Sequence, residues 1–146
     1  ERGIRVMCSA RMDADFIYEA FRLGAGAVLF SGCHPQDCHY ITGQRVGADR
    51  AEKLLRRFER MGMTPGRFRV EWISAAEGEK YARVINEMQE VLDSLPREEL
   101  LEEIEELQPD MARRARRMRE VPQMEEASEF ADRVAKASKT KEPEPA

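Results

Sequence analysis

The sequence predicts an α/β fold: a small, mostly parallel sheet flanked by helices, with a C-terminal helical extension. Three features carry that prediction. Two short strand candidates, at residues 4–7 and in the apolar run 27–30, bracket a helix-patterned segment. A third run, at 67–73, alternates apolar and charged residues, and a long amphipathic helical pattern follows it. Strands separated by helix-length segments call for parallel, right-handed crossovers.

Taken in order, Ile4, Arg5, Val6 and Met7 make a short strand candidate that ends at Cys8. Asp13 has the side chain of a helix N-cap, and Phe16, Ile17, Ala20 and Phe21 recur at helical spacing until Gly24 ends the helix. Residues 27–30 have the length and flanking glycines of a buried strand. After Gly43 a second helix is expected over about 48–61, with Ala51, Leu54, Leu55 and Phe58 on one face. Arg50, Lys53, Arg56, Arg57 and Arg60 fall largely on its other face, and Gly62 closes it.

Residues 63–66 are a turn by composition, and the strand after it sets Phe68, Val70 and Trp72 against Arg67, Arg69 and Glu71. Ser74 and Glu77 have the spacing of a capping box. Beyond them Tyr81, Val84, Ile85, Met88, Val91, Leu92 and Leu95 hold one face for about five turns, so this helix is expected in the core.

The chain changes character at Pro96. Residues 1–95 are charge-balanced, and the net charge of −4 arises in 96–146. The organisation expected is an α/β domain at 1–95, a charged helical extension at 96–138 and a disordered tail at 139–146. Leu100, Leu101, Ile104 and Leu107 form a narrow apolar stripe on an acidic helix, and Pro109 separates it from Arg113, Arg114, Arg116, Arg117 and Arg119. A last weak helix is expected over 124–134. These helices cannot make a core of their own, and so narrow a stripe is expected on a partner.

Composition also excludes function classes. The arginine runs are offset by nearby acids and lack interleaved aromatics, so nucleic acid is not an expected partner. No apolar run reaches the roughly 20 residues that span a bilayer, and no basic-then-apolar leader is present. No phosphate-binding glycine loop, Ser-His-Asp constellation or paired-carboxylate signature is present.

What remains is sulfur. Cys33-His34 and Cys38-His39 lie in one loop around Pro35, directly after the second strand candidate, and Cys8 follows the first. If the two strands run parallel, all three thiols sit beyond one sheet edge, where open α/β folds place ligands. An odd cysteine count points to a reducing, cytoplasmic setting and a metal or redox role rather than a disulfide framework. An iron–sulfur cluster, a zinc site of three cysteines and one histidine, or a Cys33–Cys38 dithiol would each use these sulfurs, and spacing does not choose among them.

Quoted together, the stretches Ile4-Arg5-Val6-Met7-Cys8-Ser9, Gly32-Cys33-His34-Pro35, Asp37-Cys38-His39-Tyr40 and Glu71-Trp72-Ile73-Ser74-Ala75 resemble the delta subunit of methyl-viologen-reducing hydrogenase. The resemblance runs from about Ile4 to Leu95. It implies a 2Fe-2S cluster held by Cys8, Cys33 and Cys38 in a non-catalytic electron-transfer subunit. The implied partners are hydrogenase or formate dehydrogenase subunits and the flavin-bearing subunit of heterodisulfide reductase, in an electron-bifurcating hetero-oligomer. One departure is Ala10, where the family usually has glycine. A fourth ligand is unassigned and could come from a preceding segment, a partner, His34 or His39.

Overall fold

The computed structural model describes residues 2–120, with side chains through Arg117. The expected helix at 124–134 and the tail at 139–146 lie outside the described residues. A 3-10 helix (Ser9–Arg11) leads into α1 (Ala14–Arg22), β1 (Val28–Gly32), α2 (Gly43–Arg60), β2 (Phe68–Trp72), α3 (Gly78–Ser94) and α4 (Arg97–Glu120). β1 and β2 pair in parallel, from Val28 opposite Phe68 to Gly32 opposite Trp72, with α2 as the crossover. The class is α/β, as the sequence predicts. Among the described residues no helix is long and apolar enough to cross a membrane.

Local chemistry explains most boundaries. Asp13 caps α1 by accepting from the Asp15 amide at 3.0 Å, and Gly24, at φ +94°, ends it. Gly62, at φ +80°, does the same for α2. The core forms where α1, α2 and β2 meet: the Phe58 ring takes Tyr18, Phe21 and Phe68 edge-on at centroid distances of 5.3, 5.9 and 5.4 Å. That stack selects the inner face of α1 as Ile17, Tyr18 and Phe21, leaving Phe16, expected inside, exposed.

Several boundaries differ from the sequence reading. Residues 4–7 form no strand, and among the described residues the sheet has two strands, not three. Four residues offer too few ladder bonds, and the chain turns at Cys8 into the 3-10 helix instead. α2 starts at Gly43, five residues ahead of the expected start, because its two early glycines serve close packing. Ser74 opens a turn that closes at Glu77 before α3 begins, and only Val84 and Met88 of the expected apolar face are buried. Pro109 lies inside α4 and does not break it.

The compact unit runs to Ala112 and so includes the first two thirds of α4. Leu107, expected on a stripe awaiting a partner, is buried in the core, with Ile104 packed against it. Polar contacts hold this part of the helix in place. Asp110 accepts from the Tyr18 hydroxyl at 3.1 Å and from Arg57 Nε at 2.5 Å. Arg67, placed on the polar face of its strand by alternation, has 0% exposure. Its Nε donates to the Gly26 carbonyl at 2.8 Å, its Nη1 meets Glu103 at 2.5 Å, and its guanidinium lies 5.5 Å from the Phe21 ring centre.

Candidate metal centre

β1 delivers Cys33. The strand ends at Gly32, whose carbonyl accepts from the Ile73 amide at 2.9 Å, and Cys33 is the next residue. A turn with Pro35 at its second position follows, closed by the Asp37 amide on the His34 carbonyl at 3.0 Å. Cys38 opens a second turn, closed by the Ile41 amide on its own carbonyl at 2.9 Å. That turn lays its sulfur over the N-terminus of α2, where the Gln44 amide donates to it at 3.1 Å. Cys8, in extended conformation, caps the 3-10 helix, its sulfur accepting from the Ala10 amide at 3.5 Å.

Glycines let these pieces meet. A Cβ on Gly43 would overlap the Cys8 sulfur and lie 3.5 Å from that of Cys38, so both sulfurs border the space this residue leaves open. One turn along α2, a Cβ on Gly47 would fall 2.9 Å from the Ser9 carbonyl oxygen. On the sheet side a Cβ on Gly32 would lie 2.9 Å from Ser9 Cβ. Ser9 is therefore seated between β1 and α2, and Cys8 with it. Arg50 secures the arrangement by donating to the carbonyls of Ala10 (2.6 Å) and Met12 (3.1 Å). Among the described residues, the buried Ser9 hydroxyl has no hydrogen-bond partner.

The electrostatics of the two loop thiols diverge. The Gln44 amide, with those of Tyr40 and Gly43, draws the Cys38 thiol below its ordinary range, as expected at a helix N-terminus. Burial pushes the Cys33 thiol up, and its hydrogen bond to Cys38 adds to the effect.

The histidines have other employment. His34 Nε2 lies 2.6 Å from Glu77, whose carboxyl also accepts from the Ser74 amide at 2.7 Å. That amide first, then His34, holds the Glu77 pKa at about 2. His39 is exposed and packs edge-on to Tyr40. Neither ring stands among the sulfurs as a ready fourth ligand.

Among the described residues no group of three or more histidine, cysteine, aspartate or glutamate donors closes around one ion. The sulfurs are grouped more loosely: Cys33 and Cys38 lie in one loop, and Cys38 shares the Gly43 space with Cys8. All three are free thiols. The donor chemistry, with the Cys8 and Cys38 thiols receiving backbone N–H bonds beside a glycine gap, is of the kind that suits an iron–sulfur group. Sequence reasoning singled out the cysteines but missed Gly43, Gly47, Gly32 and Arg50. The signal for the first two is their four-residue spacing, which puts both on one helix face.

Comparison with known proteins agrees with this architecture. The family model described as methyl-viologen-reducing hydrogenase, delta subunit, matches residues 2–96. A 94-residue stretch, 64% of this chain, is 43% identical to part of a ferredoxin/F420H2-dependent CoB-CoM heterodisulfide reductase protein of Methanosarcina acetivorans, covering 12% of that longer chain. The F420-non-reducing hydrogenase vhc iron-sulfur protein of Methanococcus voltae is 40% identical over 94 residues, 64% of this chain and 65% of its own length. An F420-non-reducing hydrogenase iron-sulfur protein of Archaeoglobus profundus is 40% identical over 92 residues, 63% of this chain and 67% of its own. The match thus spans a small part of the heterodisulfide reductase relative and about two thirds of each hydrogenase relative, and by its family model this chain belongs to the delta-subunit family of methyl-viologen-reducing hydrogenase.

Proposed function

We propose that this chain is an electron-transfer subunit that holds a 2Fe-2S cluster on Cys8, Cys33 and Cys38. It relays electrons between a hydrogenase or formate dehydrogenase module and the flavin-bearing subunit of heterodisulfide reductase, in a cytoplasmic, electron-bifurcating hetero-oligomer. The observation that carries the reading is the approach of the Cys8 and Cys38 sulfurs to the space Gly43 leaves at the N-terminus of α2, each receiving a backbone N–H, with Cys33 at the end of β1 in the same loop as Cys38. Support also comes from relatives named as iron-sulfur proteins of hydrogenases and as part of heterodisulfide reductase.

The cluster, when bound, supplies a one-electron couple; the chain supplies ligands and their surroundings. N–H donors on sulfur and the positive end of α2 stabilise negative charge and so favour the reduced state. Cys33 is half-buried, which reduces contact with water, and ligation requires this thiol to give up its proton. A structural zinc site would need its donors to converge on one ion, with a histidine among them. His34 Nε2 is held by Glu77, which leaves only Nδ1 of that ring for a metal.

Anaerobic purification tests the reading. The expected product is coloured, with about two irons and two labile sulfides per chain and a paramagnetic signal on reduction. A colourless protein with stoichiometric zinc would overturn it.

A further inference from the structure

One buried polar group beside the thiols does nothing for the fold. The Ser9 side chain belongs to a residue 6% exposed, and its hydroxyl has no hydrogen-bond partner among the described residues. The same is true of Nη2 of Arg67, but the other nitrogens of that guanidinium bond Gly26, Leu100 and Glu103. Ser9 has no second polar group in its side chain. A buried hydroxyl left unpaired destabilises the chain that carries it, and alanine would avoid the penalty.

The usual reasons for a serine at this position do not apply. At the start of a helix its oxygen normally accepts from a backbone amide. Here the 3-10 helix is capped by the Cys8 sulfur, through the Ala10 amide. The backbone is fixed without the hydroxyl: the Arg11 amide bonds the Cys8 carbonyl at 2.9 Å, and the Met12 amide bonds that of Ser9 at 3.0 Å. Nor can the side chain move away. A Cβ on Gly32 would lie 2.9 Å from Ser9 Cβ and one on Gly47 3.1 Å from it, so both glycines close on this residue.

Its place among the cysteines supplies a reason. Ser9 follows Cys8 directly. Its oxygen lies 3.2 Å from where a Cβ on Gly32 would stand, and Gly32 directly precedes Cys33. The hydroxyl is thus lodged between the chain segments that present two of the three thiols. The Trp72 ring, 3.2 Å from the same Gly32 point, has an indole that donates and does not accept. We infer that the Ser9 hydroxyl donates a hydrogen bond to a sulfur of the cluster proposed above and raises its reduction potential. The inference rests on the relay reading. Reduction adds negative charge to the sulfurs, so a donor there is worth more in the reduced state than in the oxidised one.

The test is Ser9→Ala in the full chain, purified anaerobically beside the wild type. Iron content, a redox titration followed by the paramagnetic signal, and resonance Raman spectra in H2O and D2O are compared. Alanine keeps Cβ in its closed seat, so iron content and far-UV circular dichroism should be unchanged. The midpoint potential should fall by about 59 mV, a tenfold shift of a one-electron equilibrium. The displacement of the iron–sulfur stretching bands in D2O should shrink, because one exchangeable donor to sulfur has gone. A potential within about 18 mV of the wild type, less than a twofold shift, would overturn the inference and leave the relay standing. So would a potential that rises. Loss of iron from Ser9→Ala would overturn it too, by assigning the residue to the seating of the cluster. Colourless wild-type protein would remove the relay reading before any comparison, and the inference with it.

Discussion

Replacement of Gly43 by alanine should strip the proposed cluster from the chain while leaving α2 formed. Alanine is a better helix former than glycine by about 1 kcal/mol, and position 43 is the first residue of the helix, so backbone stability should hold or rise. The added methyl, however, occupies the space in which the Cys8 sulfur lies and comes within 3.5 Å of Cys38. Ser9, wedged against Gly32 and Gly47, cannot retreat without moving the 3-10 helix. Metal affinity should fall by at least about tenfold, as for other residues that support a site without touching the metal. Iron content and absorbance at fixed protein concentration measure the loss, and unchanged far-UV circular dichroism shows that the fold survives. Normal iron content in Gly43→Ala would mean that Cys8 does not share the site.

Glu103→Ala should be the most destabilising single change among the polar contacts, costing about 3–5 kcal/mol because it strands a buried charge. Arg67 has 0% exposure, and Glu103 is its carboxylate partner, at 2.5 Å. The remaining acceptors are the carbonyls of Gly26 (2.8 Å) and Leu100 (3.4 Å), and Nη2 has no partner among the described residues. Glu103 also receives the Thr64 amide at 3.2 Å and the Thr64 hydroxyl, tying α4 to the turn before β2. Against a typical domain stability of about 5–15 kcal/mol this is a large fraction. Urea denaturation of the single variant and of Glu103→Leu/Arg67→Met separates the causes. The paired apolar replacement should recover most of the loss, since no charge is then left unpaired.

Arg67 also shows where sequence reading stops. Alternation put it on the solvent side of its strand, yet the partner that accommodates it lies 36 residues away on α4. The burial of Leu107 and the Arg57–Asp110 pair are hidden for the same reason: local periodicity carries no information about which helix lies across a face. Signals with local causes were legible. Asp13 and Gly24 bound α1, Gly62 ends α2, and the apolar run before Cys33 is β1 within two residues.

The candidate site divides in the same way. The three cysteines stand out by type and spacing. Cys8 and Cys38 approach each other for a reason other than the one expected, two strands side by side, because residues 4–7 stay out of the sheet. Cys8 reaches Cys38 through close glycine contacts on α2 and through Arg50, features that read locally as a helix start delayed by glycines and as one more surface arginine.

If Cys8, Cys33 and Cys38 all serve one cluster, the absorption spectra of three serine variants, one at each position, will show it. Each should lose the visible bands of the anaerobic protein while keeping its far-UV circular dichroism. Wild-type absorbance in any one of the three would mean that its sulfur is not a ligand and that the shared cluster is wrong.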